Sequence, residues 1–137
     1  MLTALLLAAP SAANDALTAE DEARAYCLGV NSQLAERFRK MQLWGCGRAP
    51  DMQWCRDAKA AAPEAMRHRE KLAIRFANTL AARGLLDAGR PELRQKINAA
   101  VDAGSADSQA CFNDKGARDE AACERLQRCE AAETLAP

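Results

Sequence analysis

Six cysteines are the residues of this chain best able to do chemistry: Cys27, Cys46, Cys55, Cys111, Cys123 and Cys129. A thiolate can ligate a metal, attack a substrate or exchange with a disulfide, and spacing discriminates among these roles. No C-x-x-C occurs, and His68 is the one histidine. Zinc sites are built from close-spaced ligand pairs, so no metal site is expected. A thioredoxin-like redox centre lacks both its motif and its βαβ setting. An even number of cysteines in a small chain then reads as a disulfide framework.

Geometry narrows the pairing. Cys46 and Cys55 flank the first turn between helices, and a bridge there would remove roughly 2.5–3 kcal/mol of unfolded-state entropy. Cys111 and Cys123 flank the turn chemistry of Asn113-Asp114-Lys115-Gly116. That leaves Cys27 for Cys129, tying the first helix to the last. The competing set joins Cys111 to Cys129 and Cys27 to Cys123. The saposin and twin-cysteine helical-hairpin patterns do not fit, because the close cysteine pairs they need are absent.

Other candidates for chemistry are thin. His68 sits in Arg67-His68-Arg69 with no nucleophile or orienting carboxylate around it in the sequence, so it reads as a solvent-facing side chain. Thioethers can hold copper(I), but Met41, Met52 and Met66 at helical spacing read as core filler. Arg67, Lys71 and Arg75 form a basic column, with Arg37, Arg39 and Lys40 as a second basic group. They read as a solvated face balanced by Glu64 and Glu70. The seven glycines are scattered and read as helix stops and turn residues; none clusters before a lysine as a phosphate loop requires. No catalytic residue and no cofactor are expected.

One segment concentrates interest. Trp44 to Cys55 holds both tryptophans, two cysteines and Met52. A disulfide-closed loop is rigid, and rigid loops with tryptophan and arginine lose little entropy on contact. Trp44, Arg48, Asp51, Met52 and Trp54 are therefore the expected binding residues, with the polar tip from Arg48 to Asp51 facing solvent. The opposing expectation is that both indoles pack onto the end of the bundle.

Composition sets the elements that position these residues. The 137-residue chain is rich in alanine, leucine, arginine and glutamate, with aromatics at only 4%. These are strong helix formers, so the expected fold is an all-α antiparallel bundle of three to five helices. Thr18 and Asp21 form a capping box for a first helix, whose apolar face runs Ala23, Cys27, Val30, Leu34, Phe38 and Met41. It should end near Trp44. A second segment from Met52 meets Pro63, which either kinks it or restarts a new helix. Met66, Ala73, Phe76, Ala77 and Leu80 then face the core, and Gly84 with Leu85 should close that helix in a Schellman motif. Pro91 opens a third helix that Gly104 should stop, with Ser105 capping a short segment to Phe112. Ala122, Leu126 and Cys129 lie on one face of a last helix.

The first thirteen residues carry no charge, and Leu2, Leu5, Leu6 and Leu7 make an apolar block before Ser11 and Ala13. Although no lysine or arginine precedes the block, this reads as a secretory signal over residues 1–13, with one helical domain over 14–137. The block is far shorter than the roughly 20 residues that span a bilayer, so no stable membrane insertion is expected after cleavage. Nineteen basic residues balance nineteen acidic ones, which disfavours nucleic acid. The expectation is a periplasmic or secreted protein of a bacterial envelope that acts by protein binding, as an inhibitor, immunity or accessory protein. A redox-active or small enzymatic envelope factor is the alternative, and a structural protein without activity the third.

Overall fold

The computed structural model describes residues 17–45, 52–113 and 116–132, and the elements below lie within them. The order is α1 (Ala19–Trp44), α2 (Gln53–Ala82), α3 (Pro91–Cys111), α4 (Glu120–Leu126) and α5 (Arg128–Ala132). The protein is all-α among the described residues, a small helical bundle stapled by disulfides. The proposed leader, residues 1–13, lies outside them.

Thr18 starts α1 as expected. Its hydroxyl accepts from the Asp21 amide at 3.1 Å, and the Asp21 carboxylate accepts from the Thr18 amide at 3.1 Å. This reciprocal pair satisfies two of the donors that a helix start leaves open. At the far end, Gly45 adopts φ 74° and its amide donates to the Met41 carbonyl. The left-handed region suits glycine, which has no β-carbon to clash.

α1 is the central element. α2 runs antiparallel to it, since Arg39 meets Glu70 near one end and Asp21 meets Arg83 near the other. Cys27, Val30 and Leu34 pack with Leu72 and Phe76 in one cluster. A second cluster joins Ala25 to Leu80, Leu85 and Ile97, bringing α3 against the other side of α1. The apolar face expected from the sequence is therefore only one of two. Ala25, Gly29 and Ala35, outside that face, are also buried.

Pro63 lies inside α2, which continues through it. The proline removes one backbone donor, but apolar contacts hold the helix on both sides of it: Cys55 and Ala62 before, Leu72, Phe76 and Leu80 after. The Schellman closure is present. The Gly84 amide donates to the Ala81 carbonyl and the Leu85 amide to the Leu80 carbonyl, with Gly84 at φ 71°. Leu85 folds back and is fully buried beside Leu80.

The expectation for Gly104 is overturned. It does not end a helix; α3 runs unbroken to Cys111. Gly104 sits at the crossing of α3 over α1, where a β-carbon would overlap the backbone of Tyr26. Gly29 is its counterpart, facing the backbone of Val101. Close approach between helices outweighs the roughly 1 kcal/mol that glycine costs inside a helix. The last helix also divides, with a turn at Gln127 between α4 and α5.

Candidate functional site

Two of the disulfides expected from spacing are formed. Cys27 joins Cys129, with Cα atoms 5.4 Å apart, and Cys111 joins Cys123 at 4.8 Å. The competing set is excluded. Cys55 is also disulfide-bonded; Cys46, its expected partner, lies outside the described residues. Arg48 and Asp51 of the expected binding loop lie outside them too.

The remaining residues of that loop are placed. Trp44 is 73% exposed and Trp54 is 54% exposed, with Leu43 at 64% and Met52 at 55%. Leu43 and Trp44 end α1, while Met52 and Trp54 stand at the start of α2. The end-cap expectation, with both indoles packed down, does not describe them. Cys55 provides the contrast: it follows Trp54 directly yet is only 2% exposed. A buried, bridged cysteine thus anchors the chain beside an indole that faces outward. A contiguous patch of exposed apolar groups marks an interaction surface, and these four side chains lie within the stretch of sequence from the end of α1 to the start of α2.

The other candidates are not brought together. Arg37 donates to the Phe112 carbonyl at 2.7 Å and stands 5.3 Å over its ring. Arg39 pairs with Glu36 at 2.9 Å and Glu70 at 3.2 Å. The second basic group is thus largely committed within the fold. Arg67, Lys71 and Arg75 are exposed, and among the described residues none of them enters an ion pair. His68 is exposed and has an interaction partner. Met66 is half-buried and accepts from Gln42 at 3.8 Å, a packing role.

Two polar networks invisible to sequence reading hold the bundle. Asp21 is fully buried and receives Arg83 through Nε at 2.6 Å and a second guanidinium nitrogen at 2.8 Å, with Arg24 at 3.2 Å. Burial pushes its carboxyl up, but the hydrogen bonds from Arg83 and Thr18 outweigh that and hold it below the usual carboxylate range. The second network crosses three helices. The Tyr26 hydroxyl donates to Asp107 at 2.7 Å, and Arg125 donates to both oxygens of Asp107 at 2.8 Å. The Arg125 hydrogen bonds, helped by Tyr26, hold Asp107 low against the opposing effect of burial. Burial and the Asp107 carboxylate push the Tyr26 phenol above its ordinary value. Only the pairing of Asp21 with Thr18 was signalled, by their spacing; Arg83 and Arg125 are too distant in sequence to leave a local pattern.

Among the described residues, no group of three or more histidine, cysteine, aspartate or glutamate side chains could hold a metal ion. No helix among them is long and apolar enough to cross a membrane. Scanned against protein-family models and searched against curated proteins and solved structures, the chain finds no match.

Proposed function

We propose that this is an exported, disulfide-stapled helical protein of a bacterial envelope that acts by binding another protein through the Trp44–Cys55 end of the bundle. The observation that carries the reading is the exposure of Trp44 at the end of α1 and of Trp54 next to the buried, bridged Cys55. Indoles are large, amphipathic and low in rotamer entropy, and they dominate binding energy where they occur at interfaces. A bridge beside them limits the ordering cost of association. Export is supported by the neutral leucine-rich segment at residues 1–13 and by the disulfides, which persist in oxidising compartments. An inhibitor, immunity or accessory protein needs such a rigid surface and no catalytic set.

The test pairs stability with binding. Trp44→Ala and Trp54→Ala should melt close to the parent and fail to retain a partner from an envelope extract. Variants that melt far below the parent would make the indoles structural and remove the support for this surface.

A further inference from the structure

The two bridges placed by the fold differ in surroundings. Cys27 and Cys129 are 1% and 4% exposed and sit in the core cluster with Val30, Leu34, Leu72 and Phe76. Cys111 and Cys123 are also buried, at 5% and 8% exposed, but in a smaller cluster with Ala122, Ala110 and Leu126 between the last turn of α3 and α4. Beside this second bridge stands a cation. Arg118 donates through Nε to Cys123 Sγ at 3.0 Å. The same side chain is 60% exposed and lies 3.6 Å from Glu120, so it reaches the sulfur from the solvent side.

A guanidinium gains little from a neutral disulfide sulfur. It gains much more from a thiolate, through a charge-assisted hydrogen bond. Exchange is fastest when the departing sulfur belongs to the more acidic thiol, and a neighbouring arginine makes a thiol more acidic. We propose that the Cys111–Cys123 bridge is a thiol-exchange site for low-molecular-weight thiols, with Cys123 as the leaving group and Arg118 as the residue that stabilises it. An incoming thiolate attacks Cys111 Sγ. A new S–S bond forms to Cys111 as the Cys111–Cys123 bond breaks, and Cys123 departs as a thiolate carrying the electron pair. A second thiolate then releases Cys111 as a thiolate, so two thiols are oxidised to one disulfide while the protein gains two electrons. The rest of the fold tolerates the opening: α5 stays tied to α1 through Cys27–Cys129, and α4 to α3 through Arg125 and Asp107.

Reduced glutathione is the probe. The oxidised full chain is exposed to it briefly, quenched with acid and alkylated, and its peptides are mapped by mass spectrometry. The expected first product among these four cysteines carries glutathione on Cys111 and the alkyl group on Cys123, with Cys27–Cys129 still closed. Arg118→Gln should slow this opening by roughly threefold or more, and Arg118→Lys should recover part of the loss. Since Arg118 is exposed, both variants should melt near the parent; if Arg118→Gln does not, product mapping in the parent still decides. Glutathione found first on Cys123, Cys27–Cys129 opening first, or an unchanged rate in a folded Arg118→Gln variant would each overturn the proposal.

Discussion

Gly29 and Gly104 face each other where α1 crosses α3, each against the other helix's backbone: a β-carbon on Gly29 would overlap the Val101 carbonyl, and one on Gly104 the Tyr26 carbonyl. The obstructing atoms are main chain, so no side-chain rotation can relieve an added methyl. Alanine at either position raises helix propensity by up to about 1 kcal/mol. Overpacking typically costs about 1–3 kcal/mol and more where nothing can yield. Gly104→Ala and Gly29→Ala should therefore both lower stability, by about 1–3 kcal/mol net, read as a lower urea midpoint at unchanged slope. A midpoint at or above the parent's would mean the helices do not approach so closely.

Acid should weaken the fold through Asp21 and Asp107. Both carboxyls are held below their usual range in the folded state. A depressed folded pKa contributes stability that is present above the unfolded value of about 4 and lost as pH falls through the folded one. Urea midpoints measured from pH 6 downward should fall below about pH 4. Asp21→Asn should have a lower midpoint at pH 6 and a flatter acid limb than the parent. An identical acid limb in that variant would show that Asp21 carries none of this linkage.

At the alkaline end the relevant group is Tyr26, whose phenol is raised above its ordinary value. A raised folded pKa contributes stability that is complete below the unfolded value of about 10 and lost as pH rises toward the folded one. Tyr26→Phe removes one hydrogen bond to a carboxylate, a change that costs about 1.5–3 kcal/mol. The variant should be less stable near neutral pH and lose less above pH 10. Equal alkaline losses in both proteins would contradict this assignment.

The disulfide framework has its own check. Peptide mapping of the oxidised protein should recover Cys27–Cys129, Cys111–Cys123 and Cys46–Cys55, and intact mass should lie about 6 Da below the fully reduced value. N-terminal sequencing of exported material should begin close to Asn14. Cys46 joined to any residue other than Cys55 would refute that pairing, and an intact Met1 in a cytosolic fraction would refute export.

Local chemistry was legible in the sequence, and meetings between distant residues were not. The Thr18–Asp21 capping box and the Gly84–Leu85 closure followed from short-range spacing, whereas two pairing sets stayed open for Cys27 and Cys111 until the fold chose between them. Gly104 misled because an interior glycine and a terminal one look alike until the opposing helix is known. α1 misled for a related reason. A helix buried on two sides places apolar and small residues around most of its circumference, so counting one face undervalues Ala25, Gly29 and Ala35. For the indoles, the sequence set two fates against each other; Trp44 and Trp54 are exposed, and whether they make a contact is left to the melts and the binding test. Arg83 and Arg118 had no signal at all, since nothing local to either marks Asp21 or a disulfide sulfur as its partner.

Binding through the tryptophan-bearing end stands or falls on one paired measurement. The oxidised parent and a Trp44→Ala/Trp54→Ala double variant are melted side by side, then used as bait at equal concentration against an envelope extract. Exposed surface residues change stability by about 0.5 kcal/mol or less each, whereas removing a buried indole costs roughly 3–5 kcal/mol. The expected result is nearly coincident melts and a partner retained by the parent at least about tenfold more strongly than by the variant, as loss of interfacial hot spots implies. A double variant that melts far below the parent, or one that melts with it and retains the same proteins equally, would contradict it.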